Sequence, residues 1–304
     1  MKAAVYSRFG PPDVLHLEEV ETPTPGDQEV LVKVHAASLN RADGHLLAGN
    51  SFLIRLMMAG LFRPRNRILG ADIAGTVEAV GKKVKRFKQG DAVFGDLSRS
   101  GWGGFAEYAC VAEGALAPMP ARLSFEQAAA APLAGVAALQ GLRNKGRIRS
   151  GHKVLVNGAS GGVGSFAVQI AKALGAEVTG VCGSRNLEMV RSIGADHVID
   201  YTREDFTKQD RTYDLVFDTA AQHSPAEYRR ILNPGGTYVL VGGSRFNFMA
   251  KPDQQDLLFL GELLEAGKVK PVVDRRFGLN EISEAFRYLE EGHPRGKIVI
   301  AVQA

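Results

Sequence analysis

The 304-residue chain contains two cysteines, Cys110 and Cys182, and one tryptophan. The cysteines share no metal-ligand spacing and frame no disulfide scaffold. Both sit in apolar, strand-like runs, where cysteine is usually a small buried hydrophobe. The seven histidines form no pair at zinc-motif spacing, so no metal is expected. No apolar run approaches the ~20 residues of a membrane span, and the start, MKAAVYSRFG, lacks the apolar stretch of a signal peptide. A cytoplasmic protein is the resulting expectation. Charge of one sign is scarce as well. The 37 Lys and Arg against 33 Asp and Glu leave a formal charge of +4, and the basic residues are dispersed. Nothing resembles the basic stripe of a nucleic-acid binder. There is no internal repeat and no low-complexity segment.

What is present falls into two rhythms. The segments KAAVYS, EVLVKVHAAS, DIAGTVEAVG, DAVFG and FAEYACVA are rich in valine and alanine, and most are bounded by Gly, Pro or Asp. They read as strands. LIRLMMAGLF, between them, reads as a short helix or an apolar loop. From Ser124 onward, strands and helices alternate. Ser124 is a predicted N-cap with Gln127 at the capping-box position. KVLVN is followed by Val163, Phe166, Ala167, Ile170, Ala171 and Leu174 at helical spacing. EVTGVC, HVID, DLVFDT and TYVLVG are further strands, separated by short helices. This is the pattern of an α/β fold: a β-rich first part, then a doubly wound parallel sheet with helices on both faces. A helix capped by Asp253, a helix with Ile282, Ala285, Phe286 and Leu289 on one face, and a closing strand GKIVIAV complete the chain.

The stretch Val154 to Asn186 holds seven glycines in 33 residues. Its first half follows a strand and opens a helix, the context that a dinucleotide-binding turn requires. Ala159, Gly161 and Gly164 fit A-x-G-x-x-G. Small residues let the backbone approach a pyrophosphate, and amides near Gly162 and Val163 can donate to it. Its second half ends the next strand on Gly183, Ser184 and Arg185, where an acidic residue would favour NAD by accepting from the ribose 2′-hydroxyl. Arginine beside a hydroxyl suits a 2′-phosphate instead, which points to NADPH.

These segments, together with SIGADHVIDYTREDF, SLNRADGHLLAG, LGADIAGTVEAVG, GGFAEYACV and EEGHPRGKIVI, resemble the zinc-independent quinone oxidoreductase (zeta-crystallin-like) family of the medium-chain dehydrogenase/reductase superfamily. The resemblance runs over essentially the whole chain. It implies a GroES-like β-rich catalytic domain over 1–122 and 267–304, and a Rossmann NADP-binding domain over 123–266. It implies that Ser160, Gly161, Gly162, Val163 and Gly164 form the pyrophosphate loop. Gly183, Ser184 and Arg185 become the adenosine-phosphate site, with Tyr201 flanking it. Asn40 and Asp43 stand in an N-x-x-D motif beside the nicotinamide. Val241, Gly242 and Gly243 end a strand near it, and Arg295 and Lys297 close on the cofactor.

Related alcohol dehydrogenases hold zinc with cysteine and histidine, and the corresponding positions here look like Asn40 and Ala71. Without a metal to stabilise an alkoxide, the expected acceptors already take hydride readily: a quinone, or the β-carbon of an enone. Asn40 is the first candidate for a catalytic polar group, with Tyr108 and Tyr6 weaker proton donors. A non-catalytic NADPH-binding sensor or partner-binding protein is the alternative. Two departures from the family stand out. Ala137 replaces a frequent threonine, and the segment Ser244 to Met249 replaces a longer stretch in relatives. That stretch often supplies a strand-to-strand dimer contact, so a homodimer is possible but in doubt. Phe246 and Phe248 stand as covers for the nicotinamide or as plain packing.

Overall fold

The computed structural model describes residues 1–50, 60, 63–241, 247–292 and 294–303. The chain forms two compact units, one of 1–133, 252–261 and 273–304, the other of 134–251 and 262–272.

In the first unit, β1 (Lys2–Val5) pairs antiparallel with β2 (His16–Glu19). The main sheet takes β3 (Glu29–Leu39), β4 (Asp72–Val80), β5 (Ala92–Asp96), β6 (Tyr108–Ala112) and β7 (Leu116–Pro118). To these it adds β13 (Val273–Gly278) and β14 (Lys297–Ala301) from the end of the chain. Its order is β13-β14-β3-β4-β5-β7, with β6 also on β3. The Val-rich β3 carries Val30, Val32 and Val34 into the core, all fully buried. Against that core packs α8 (Ile282–Glu290), whose Ile282, Ala285, Phe286 and Leu289 are buried at helical spacing. Phe286 meets Phe105 edge-on at 6.0 Å between ring centroids, and a ring so buried contributes roughly 1.5–3 kcal/mol. α1 (Arg41–Ala48) starts directly after β3 and ends on Gly49, whose positive φ of 56° suits the left-handed stop. The expected cap on Ser124 is formed. Its hydroxyl accepts from the Gln127 amide at 3.2 Å and the Gln127 side chain returns the bond, starting α2 (Phe125–Ala129).

α3 (Pro132–Gln140) leads into the second unit. There β8 (Lys153–Asn157), β9 (Glu177–Cys182), β10 (His197–Asp200), β11 (Tyr213–Asp218) and β12 (Leu232–Leu240) form a parallel sheet in the order β10-β9-β8-β11-β12. The crossovers run through α4 (Gly162–Ala173), α5 (Leu187–Ser192) and α6 (Pro225–Arg230). Leu215, Val216 and Phe217 of β11 are all fully buried, as expected of a parallel strand covered on both faces. α7 (Gln254–Glu265) begins where Asp253 accepts from the Asp256 amide at 3.1 Å, as its capping role requires. Most of LIRLMMAGLF, together with Gly242, Gly243 and Phe246, lies outside the described residues.

Candidate active site

The second unit carries the glycine turn. β8 ends on Asn157, Gly158 adopts a positive φ of 78°, and α4 begins at Gly162 with Gly161 at the N-cap. A side chain at Gly164 would place its Cβ 2.0 Å from the Gly158 carbonyl oxygen. The turn therefore closes only around glycine, which leaves its outer backbone and the first amides of α4 for an anion. Ser160, Gly161, Gly162 and Val163 lie together on this turn. A nicotinamide dinucleotide fits it, because the cradle sits at the carboxyl end of a parallel strand.

The turn is braced from below. Asp218, fully buried at the end of β11, accepts from Asn157 Nδ2 (3.0 Å), Tyr238 Oη (3.1 Å) and the amides of Ala220 (3.0 Å) and Ala221 (3.1 Å). Burial, then the neighbouring Asp218 carboxylate, raises the hydroxyls of Tyr228 and Tyr238 well above the usual range. Thr219 donates to the Asn157 carbonyl at 2.9 Å, and its Oγ1 lies 2.4 Å from where a Gly158 Cβ would be.

Beside the turn, Ser184, Arg185 and Asn186 form one short helical turn after Gly183. Asn186 donates to Ser160 Oγ at 3.1 Å, linking the two loops and leaving the Ser160 proton available. Arg185 is exposed, and the ring of Tyr201 lies next to Gly183. Val241 donates its amide to the Asp218 carbonyl at 2.9 Å and bridges to Phe248, also close to Gly141. Ala137 is buried in α3.

The first unit holds a second polar cluster, centred on Asp72 at the start of β4. This fully buried carboxylate accepts from Ser38 Oγ (2.9 Å), Asn40 Nδ2 (3.0 Å), Lys297 Nζ (3.2 Å) and the Leu133 amide (2.8 Å). Lys297 also donates to Asn40 Oδ1, and is 3% exposed. Both ends of the Asn40 amide are thus engaged inside the protein. Asp43 accepts the amides of Asn40 (2.8 Å) and Gly70 (3.0 Å), closing the first turn of α1. Burial pushes its carboxyl up to about 7 against those two bonds, with Asp72 adding to the rise. Burial and then Asp72 push Asp96, the register partner of Asp72 on β5, up to about 6. Tyr6, 1% exposed, is pushed up to about 12 by burial and by Asp43.

Two sequence candidates sit apart from this cluster. Tyr108 pairs with Lys33, seven residues before Asn40 along β3. At ~3.3 Å per residue that separates it from Asn40 by roughly 20 Å. Arg295 is exposed, two residues before Lys297. Nothing in the sequence marks Asp72 or Asp200 as candidates, although both lie in segments that carry the family resemblance, LGADIAGTVEAVG and SIGADHVIDYTREDF.

Zinc does not fit the Asp72 cluster. Its donors are one carboxylate, an amide and a hydroxyl, and a lysine ammonium already lies against the carboxylate. Among the described residues no group of three His, Cys, Asp or Glu side chains is arranged to hold a metal. No helix among them is long and apolar enough to cross a membrane.

Comparison with known proteins agrees with both halves. The alcohol dehydrogenase GroES-like domain matches residues 26–121 and the zinc-binding dehydrogenase family matches 193–300. The 2-methylene-furan-3-one reductase of Solanum lycopersicum is 38% identical over 99% of this chain and 79% of its own length. The NADPH-dependent alkenal/one oxidoreductase of Arabidopsis thaliana, a chloroplastic protein, is 36% identical over the same shares. The quinone oxidoreductase structure from Coxiella burnetii superposes with a TM-score of 0.90 at 32% identity, covering 100% of this chain and 99% of that one. The fold and site define a hydride-transfer oxidoreductase. More narrowly, the chain belongs to the quinone oxidoreductase (zeta-crystallin-like) family of the medium-chain dehydrogenase/reductase superfamily. Alignment with the chloroplast envelope quinone oxidoreductase homolog of Arabidopsis thaliana runs over 330 positions, more than the 304 residues of this chain.

Proposed function

We propose that this enzyme carries hydride from NADPH to a quinone or to the β-carbon of an α,β-unsaturated carbonyl, without a catalytic metal. The observation that carries the reading is the turn after β9, where Arg185 stands exposed beside the glycine loop with no acid at the strand end. The names of the tomato and Arabidopsis relatives support the substrate class.

Bound NADPH would supply the hydride. The protein's part begins with the pyrophosphate, which the amides at the start of α4 hold. Ser160 accepts from Asn186 and so keeps its proton for a phosphate oxygen. Arg185 and Tyr201 serve the 2′-phosphate. In the first unit, Lys297 and Asp72 fix Asn40, so we assign Asn40 to positioning more than to proton transfer. Tyr6, raised by burial and by the Asp43 charge, keeps its proton at neutral pH. An acceptor whose added charge spreads over a conjugated oxygen needs no Lewis acid, and orientation then supplies much of the acceleration. Gly242, Gly243 and Arg295 keep the cofactor roles that the family resemblance implies. A cytoplasmic location also remains part of the proposal.

The test is steady-state NADPH oxidation over a panel of quinones, alkenals and simple ketones. Turnover of quinones or alkenals and not of simple ketones is expected. Preference for simple ketones, or turnover that needs added zinc, would contradict the reading. Asn40→Ala should lower turnover more than NADPH affinity.

A further inference from the structure

The end of β10 carries an acid that the end of β9 lacks. Asp200 is the register partner of Cys182, two residues before Ser184. It is 7% exposed, and two exposed hydroxyls lie over it. Ser184 donates to Asp200 Oδ2 at 2.5 Å. Thr202 donates to Oδ1 through its hydroxyl at 2.7 Å and its amide at 3.0 Å. The two hydroxyl oxygens are 2.9 Å apart.

This triangle has a definite polarity. Two hydroxyl protons serve three short contacts, and an ionised carboxylate only accepts. However the protons are shared, none is left to point outward. A ligand arriving at Ser184 and Thr202 therefore meets lone pairs above a negative charge. The bonds from Ser184 and Thr202 also hold the Asp200 carboxyl below the usual carboxylate range, so it stays ionised at neutral pH. A phosphate wants the reverse: donors and positive charge. A ribose 2′-hydroxyl, which has a proton to give, suits these acceptors.

We infer that Asp200, with the hydroxyl oxygens of Ser184 and Thr202, forms an acceptor set for the ribose 2′-hydroxyl of NADH, so that the site takes NADH as well as NADPH and Asp200 sets the ratio between them. The inference rests on the proposal that this loop holds a nicotinamide dinucleotide. Arg185 and the Asp200 set then pull in opposite directions. Arg185 favours the phosphorylated coenzyme, and the Asp200 set favours the other.

Fluorescence titration of NADPH and NADH into the wild-type chain, Asp200→Asn and Ser184→Ala tests this. The wild-type chain should bind both coenzymes. Asp200→Asn removes the charge, and its amide can donate to the hydroxyl oxygens, freeing their protons. NADPH affinity should rise roughly three- to tenfold while NADH affinity falls. Ser184→Ala should weaken NADH more than NADPH, and this variant decides the matter if Asp200→Asn does not fold. Wild-type binding of NADPH with no measurable NADH binding would overturn the inference and leave the coenzyme reading standing. So would equal effects of Asp200→Asn on the two coenzymes, or a larger loss of NADPH than of NADH in Ser184→Ala. Wild-type binding of neither coenzyme would overturn both.

Discussion

The clusters around Asp72 and Asp200 are built from the same parts, a carboxylate near a strand end with serine or threonine hydroxyls, yet they differ in how far solvent reaches them. Asp72 is sealed. It is fully buried, it has a lysine for counter-charge, and its four donors come from β3, the N-cap of α1, β14 and the start of α3. Asp200 lies just beneath the surface. Its hydrogen-bond partners are exposed hydroxyls and an amide from adjoining turns, and the charge of Arg203 adds a smaller effect than those bonds. The difference lies in solvent and counter-charge. A sealed carboxylate needs a cation and fixes its neighbours, whereas a shallow one can remain ionised on hydroxyl bonds and still meet a ligand. The first cluster is suited to positioning and the second to recognition.

Removing the counter-charge would break the comparison most forcefully. Lys297→Met leaves Asp72 buried without a cation, which typically costs about 3–5 kcal/mol. Denaturant unfolding should show that loss, and Lys297→Met with Asp72→Asn should recover part of it. Equal stability of Lys297→Met and wild type would mean that the sealed cluster is not a charged one.

The next effect belongs to Asp43, in the same unit. Its carboxyl rises from an ordinary 3.8 to about 7 in the folded protein. Well below pH 4 both states are protonated and the contribution is complete. Between pH 4 and 7 the unfolded chain releases this proton and the folded one retains it, so stability falls, by something on the order of 2–4 kcal/mol, and then levels. Unfolding followed against pH should show that slope in the wild type and a flatter one in Asp43→Asn. A slope unchanged by the substitution would assign it to other groups.

Arg185→Ala sharpens the comparison from the other side. Losing a charge-assisted bond to a phosphate costs roughly 1.5–3 kcal/mol, so NADPH affinity should fall at least tenfold while NADH affinity changes little. The smallest effect is expected at Ser124→Ala, which removes a helix cap and touches neither cluster. A loss of about 1 kcal/mol with both coenzyme affinities unchanged would mark the background against which the others are read.

Much of this was legible in the chain. The strand runs, the caps at Ser124 and Asp253 and the glycine loop are local patterns, and local geometry realises them. Asp72 and Asp200 were not legible, because a lone aspartate at a strand end has no spacing that marks it. Their meaning comes from neighbouring strands: Ser38 is the register partner of Asp72, and Cys182 that of Asp200. Tyr108 illustrates the same limit in reverse, since only the β3–β6 register reveals its distance from Asn40. β13 was missed because VDRRFG carries charges, which suit an edge strand and hide the alternation.

The most direct measurement follows the hydride itself. Enzyme stripped of metal by a chelator would be given NADPH carrying deuterium at the transferable nicotinamide position, with an alkenal as acceptor, and the product examined by mass spectrometry. The account expects one deuterium at the β-carbon and a rate unaffected by the chelator. A product without the label, or turnover that disappears with the metal and returns with zinc, would contradict it.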